Sequence, residues 1–149
     1  MKYAMLIYLD ETASSEKQRE ECYRDSTQYA QELNSAGKYL SAVPLHPTGT
    51  ATSVRVRGDK RMVTDGPYAE TREQLGGFFL VEARDLDEAI DIAARIPGGR
   101  WGTVEIRPVV DVAGLPITGA ITGATIGAAT GASTEATVAK GAVIRGAAN

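Results

Sequence analysis

The sequence predicts an α+β fold in which an antiparallel sheet carries two helices on one face. Three observations predict it. Runs of strand length, "KYAMLIYL" at Lys2–Leu9 and "GGFFLVEA" ending at Ala83, are apolar at both parities, as strands covered on both faces should be. Two helical patterns with capping signals separate stretches of two-residue alternation. The elements run strand, helix, strands, strand, helix, strand, and 149 residues with 43% hydrophobic and 23% charged side chains suit one main core.

The first strand, Lys2–Leu9, is expected at the centre of the sheet because neither of its faces is polar. Its "MKYAMLIYLDE" context has one lysine and meets Asp10 and Glu11 with no small-residue cleavage site, so it reads as a strand and not as a signal peptide. In "SSEKQREECYRDSTQYAQELNSAG", Ser15 and Gln18 have capping-box spacing. Cys22, Ser26, Tyr29, Ala30, Leu33 and Ala36 form the inward face, and Gly37 is the stop. "KYLSAVPLH" is a second strand whose prolines, Pro44 and Pro47, place its far end at an edge or a bend. "ATSVRVRGDKRMVTD" sets Val54 and Val56 against Arg55 and Arg57, turns at Gly58-Asp59 and returns through Met62 and Val63, which is a hairpin. "DLDEAIDIAARIPGG" is a helix with Asp85 as N-cap, Glu88 three residues on and Pro97-Gly98 beyond its end. "GTVEIRPVV" closes the series, Val104 and Ile106 facing one way, Glu105 and Arg107 the other.

This order over this length predicts a ferredoxin-like sheet. Two helices cover only one face, yet the first strand and the strand ending at Ala83 are apolar on both. A second copy stacking sheet on sheet, as a dimeric α/β barrel, is the simplest cover for the other face, with the C-terminal segment as the alternative.

Composition divides the chain into residues 1–110, which hold every aromatic residue, and residues 111–149, rich in Gly, Ala and Thr. In the tail, Gly119, Gly123, Gly127 and Gly131 fall four apart, a spacing that makes a glycine stripe on a helix. Four helical glycines cost about 1 kcal/mol each, so such a helix needs a partner. The tail is therefore either flexible or a packed glycine-zipper helix. Val112–Thr134 is uncharged and long enough to cross a bilayer, but Pro116 and the scarcity of large apolar groups argue against a membrane partner.

A net charge of −3 and a pI near 5.2 provide no basic field for nucleic acid. Cys22 is the single cysteine, which excludes an internal disulfide and fits a reducing cytoplasm. One His and one Cys, with no spaced carboxylate set, predict no metal site. "GGRWG" lacks the lysine and following helix of a phosphate loop, and no cofactor is expected.

The segment "VTDGPYAETREQLGGFFLVEARDLDEAIDIAARIP", with "ATSVRVRG" before it and "GTVEIRPVV" after it, closely resembles the YCII-related proteins of the DGPF subgroup, with Tyr68 in place of the usual Phe. The resemblance covers roughly residues 1–110 and implies a ferredoxin-like subunit that dimerises into an α/β barrel. It does not extend to the tail.

The Asp-Gly-Pro corner carries the first candidate residues. Asp65 ends a strand, Gly66 permits a positive φ, Pro67 suits the start of a short helix toward Gln74, Tyr68 anchors the turn, and Gly76-Gly77 lets the chain re-enter the sheet. Asp65 either hydrogen-bonds the amides of the turn or faces a cavity as a general base. His46, the lone histidine, is either a surface residue between prolines or a proton-transfer partner of Asp65. Some relatives resemble dehydrochlorinases with a His-Asp dyad, but their histidine lies in the first helix, which here has none. Arg55, Arg57 and Arg107 are either a solvated face or carboxylate-binding groups. Tyr8 is either core or a cavity hydroxyl, and Tyr68 joins it as a substrate-contact candidate. The expected function is that of a small-molecule lyase or isomerase, with a non-catalytic ligand-binding or regulatory module as the alternative. The resemblance ties such a module to proteins that accompany sigma factors.

Overall fold

The computed structural model describes residues 1–115. The reading of the glycine-striped tail therefore lies almost wholly outside the described residues. The elements are β1 (Lys2–Leu9), α1 (Glu16–Ser35), β2 (Tyr39–Pro44), β3 (Thr52–Arg57), β4 (Lys60–Asp65), β5 (Gln74–Glu82), α2 (Leu86–Ala94) and β6 (Gly102–Pro108), with 3-10 turns at Thr48–Thr50 and Pro97–Arg100. Four strands form one antiparallel sheet in the order β2-β5-β1-β6, consistent with a ferredoxin-like fold, and β3-β4 form a separate two-stranded sheet. As expected, β1 is central and β2, with Pro44 at its end, lies at an edge.

Both helices start where their capping residues place them. Ser15 accepts from the Gln18 amide while the Gln18 side chain accepts from the Ser15 amide, and Asp85 Oδ1 accepts from the Glu88 amide at 2.9 Å. Gly37, at φ 69°, follows the end of α1. The helices cover one sheet face. Tyr3, Met5 and Ile7 of β1 and Phe79 and Val81 of β5 are buried against Tyr29 and Leu33 of α1 and Ala89, Ile92 and Ala93 of α2. Tyr29 joins the helices by donating from its hydroxyl to the Ile92 carbonyl at 2.9 Å, with the Arg95 guanidinium 4.8 Å from its ring. Ala36, expected on the inward face, is exposed, because α1 ends at Ser35 and Ala36 is its C-cap.

The opposite parity is only half-covered. Ala4, Leu6 and Tyr8 of β1 and Phe78 and Leu80 of β5 share the second face, and each retains solvent access. Among the described residues one chain thus covers only one of the two faces that double apolarity led us to expect covered.

The Gly76-Gly77 pair works as expected. The β1-β5 register slips between Ile7 and Tyr8, leaving Gly76 as a bulge, and a Cβ on Gly77 would lie 2.7 Å from the Val43 carbonyl oxygen. The corner before it departs from expectation. Gly66 has φ 106°, as required, but residues 67–73 form bends and not a helix. Seven residues with no packed face do not nucleate one. Side chains hold the loop instead, Thr71 donating to the Glu73 carbonyl and Gln74 to the Thr71 carbonyl. Tyr68 anchors nothing within the described chain, being 84% exposed.

Ionic contacts at the helix entries tie stability to pH. The Lys38 ammonium, 2.6 Å from Glu88, and the Arg84 amide hold the Glu88 carboxyl below its ordinary range. The Glu88 amide and Arg84 side chain do the same for Asp85. Depressed carboxyl values stabilise the fold above the unfolded-state values near 4, and that contribution fades as pH falls through the folded ones. Urea midpoints should therefore decline between about pH 5 and pH 3, and Lys38→Met should flatten that decline. An unchanged slope would remove the Lys38–Glu88 bridge as its source.

Candidate functional site

The functional candidates gather at one end of the four-stranded sheet, where β1 and β2 end and β5 and β6 begin. Each strand contributes a loop. After β1 the chain turns at Asp10, whose carboxylate accepts from the Thr12 hydroxyl at 2.6 Å and the Thr12 amide at 2.9 Å. Those bonds, with the Arg72 guanidinium 4.0 Å away, hold its carboxyl below the ordinary range. Glu11 reaches across to the turn after β2, accepting from the Thr48 amide and hydroxyl, each at 2.9 Å. Leu45 is fixed to the start of β5 through its amide and the Gly76 carbonyl at 2.9 Å. The Asp10–Ala13 loop and Trp101 form a wall with a cavity on either side.

On the open sheet face, a cleft of about 680 Å³ is lined by Tyr8, Asp10, Arg72, Glu73, Trp101, Thr103 and Glu105. It mixes two aromatic rings with three carboxylates and one guanidinium. On the helix side, a cavity of about 450 Å³ runs from the Asp10–Ser14 loop past Leu45 and Pro47 to Cys22 and Tyr23. There it adjoins an apolar cavity of about 260 Å³ between α1 and the sheet, and the two share Leu9, Cys22, Tyr23 and Gly76.

The inner cavity has a sequence cause. Cys22, Ser26 and Ala30 lie at helical spacing on α1 and face Ala42, Gly76, Gly77 and Gly98. Large side chains, Tyr29 and Leu33, close the helix onto the sheet only in its second half. Small groups on both walls leave unfilled space, contrary to the dense packing of an ordinary interior. Glycine is required at Gly98, where a Cβ would fall 2.7 Å from Ile7 Cγ2. Burial pushes the Cys22 thiol up, with the Asp25 charge adding to it, so the sulfur is a neutral apolar contact.

The expected site residues distribute unevenly. Tyr8 lines the open-face cleft, paired across the sheet with Thr103. His46 is exposed, between Leu45 and Pro47, which both line the helix-side cavity. Arg107 is exposed on the open face, its guanidinium 3.3 Å from Glu105. Asp65, Arg55 and Arg57 lie on the exposed hairpin, and Tyr68 lies just past it. Among the described residues the Asp65 carboxylate neither caps the turn nor meets a cation. The corner is instead tied by backbone, Gly66 donating to the Ala51 carbonyl at 2.8 Å and the Ser53 hydroxyl to the Gly66 carbonyl at 2.8 Å. Asp10, Arg72 and Trp101 were not singled out by sequence. Cys22, Ser26 and Ala30 were, but as core.

Residues 1–113 match the YCII-related domain. The chain belongs to the YCII-related family. This YCII-related chain is also 38% identical over 114 residues to the uncharacterized protein R00369 of Rhizobium meliloti (strain 1021), an alignment that covers 73% of this chain and 92% of that protein. The YCII-related domain thus includes all four strands of the main sheet, both helices and the hairpin. Among the described residues no helix is long and apolar enough to cross a membrane, and no cluster of His, Cys, Asp and Glu has the arrangement of a metal site.

Proposed function

We propose that this YCII-related protein binds a small, largely apolar molecule in the joined cavities beneath α1, and that it does so as a homodimer of the DGPF subgroup. The observation that carries the binding reading is the facing of Cys22, Ser26 and Ala30 by Ala42 and three glycines, which holds apolar space open beside a polar mouth. Gln18, Arg19 and the Asp10–Ser14 loop at that mouth supply polar contacts for one end of the ligand. The subgroup assignment rests on Asp65-Gly66-Pro67 and the surrounding segment. Dimerisation is supported by the half-covered apolar face of Leu6, Phe78 and Leu80, whose stacking on a second copy would form the barrel.

A ligand screen by thermal shift tests the binding reading. A ligand at one hundred times its Kd adds about 2.7 kcal/mol, enough to raise the melting temperature by several degrees. Ser26→Leu fills the inner cavity and should abolish that shift while the chain stays folded. A screen with no stabilising compound, or a Ser26→Leu chain that responds like the parent, overturns the proposal.

A second reading has one observation in its favour. His46 is bracketed by two cavity-lining residues, and on this reading its imidazole exchanges a proton with a bound molecule. On this reading the protein is a lyase or isomerase. Conversion of a bound ligand that disappears in His46→Gln supports it, whereas a ligand recovered unaltered supports the binding module.

A further inference from the structure

The β3-β4 hairpin is an anomaly in a single chain. Six residues per strand give an arm about 20 Å long, outside the main sheet. A lone two-stranded hairpin is at best marginally stable in water. Yet Val54, Val56 and Val63 are 60%, 59% and 56% exposed, against the usual pattern of polar residues on an uncovered strand.

The pairing register sorts the arm into two faces. Opposite pairs are Thr52 with Asp65, Val54 with Val63, and Val56 with Arg61, and alternation puts all six on one side. Arg55, Arg57, Lys60 and Met62 take the other. Read from the base of the arm to its tip, the valine-bearing face presents a carboxylate, an apolar centre and a guanidinium. Among the described residues neither Asp65 nor Arg61 has an ion-pair partner.

That pattern is complementary to itself. A two-fold axis lying between two such faces, perpendicular to the strands, reverses tip and base. Asp65 of one copy then falls over Arg61 of the other, Val63 over Val63, Val54 over Val54, and Arg61 over Asp65. Stacked sheets lie about 10 Å apart, a gap that two valines fill and that an aspartate and an arginine span. The valines leave water while the charges pair, and parallel stacking is opposed because it would set like charges together. We propose that the arms of two copies of this chain dock face to face in this antiparallel manner, so that the Asp65 carboxylate serves as an intersubunit ion-pair partner of Arg61. This contact uses no part of the stacked main sheets and is separable from them.

The test is a charge exchange read by cross-linking. Val63→Cys in a Cys22→Ser background places one thiol per chain at the proposed axis, and a short bismaleimide should link two chains at low micromolar concentration. Asp65→Arg and Arg61→Asp, added singly, each set like charges face to face and should cut the cross-link yield at least fivefold. Together they recreate the pattern with its sign reversed and should restore the yield to within twofold of the parent. Arg61, Val63 and Asp65 are exposed and serine is nearly isosteric with the half-buried Cys22, so circular dichroism should show every variant folded. No cross-link in the parent, equal yields in all backgrounds, or failure of the double variant to recover overturns the arm contact. Leu6→Arg, on the main sheet, separates the two interfaces. If it alone converts the protein to a monomer while the charge variants do nothing, the sheet-stacked dimer stands and the arm contact falls. If arm cross-linking persists in Leu6→Arg and still responds to the charge exchange, the arm contact stands without the stacked sheets.

Discussion

Gly102→Ala is expected to destabilise the fold by about 4 kcal/mol, at the upper end of single-residue effects. At Gly102 the first residue of β6 passes so close to β1 that an added Cβ would overlap the Tyr8 carbonyl oxygen and stand 3.0 Å from Leu9 Cδ2. The first of these neighbours is backbone in the central strand, paired on both sides, so it has nowhere to yield. The melting temperature should drop by roughly 15 °C on the scale of a domain this size. Gly99→Ala is the control, since its Cβ would meet only the Val104 Cγ2 methyl at 3.2 Å on an exposed turn, and it should change little. A Gly102→Ala chain melting with the parent would show that β1 and β6 are not so closely joined.

The second large effect separates the two faces of β1. Met5 is fully buried against the helices, and Met5→Ala should cost about 3 kcal/mol through lost burial and an unfilled cavity. Leu6, its neighbour on the other face, is half-covered, so Leu6→Arg should leave secondary structure intact and act on assembly. A charge placed in a stacked apolar interface with no partner is strongly unfavourable. Light scattering at micromolar concentration should therefore report a dimer for the parent and a monomer for Leu6→Arg once Asp65→Arg has also mismatched the charges of the arms. If the variant keeps the parent's mass, the stacked-sheet barrel is wrong. If Met5→Ala loses less than about 1 kcal/mol, the helix-covered face is not the core.

The elements legible in the sequence were those whose physics is local. Ser15 with Gln18, Asp85 with Glu88, Gly58-Asp59 and the alternation of β6 each act within a few residues, and each appears as expected. The loop after Asp65 failed because a proline at a suitable position starts a helix only where later residues have something to pack on. Here Tyr68 points into solvent. The site was less legible for a related reason. Cys22, Ser26 and Ala30 have the spacing of a core face, and only the small residues across from them, contributed by β2, β5 and the turn before β6, reveal that the core is left open there. No periodicity within α1 carries that information. Asp10 and Arg72 are far apart in the chain and meet only because β1 and β5 are paired antiparallel.

The central position of β1 also bears on how the chain is made. Lys2–Leu9 leaves the ribosome before the other elements described, yet its two neighbours are Gln74–Glu82 and Gly102–Pro108. At about 5–20 residues per second its first partner follows by on the order of ten seconds. Throughout that interval the most apolar strand in the described chain has no native edge to pair with, and α1 has no sheet to lie on. The nascent chain must keep "KYAMLIYL" from pairing with other chains until β5 emerges. Conditions that slow elongation between α1 and β5 prolong that exposure, whereas the finished protein, with β1 enclosed on both edges, no longer carries the hazard there.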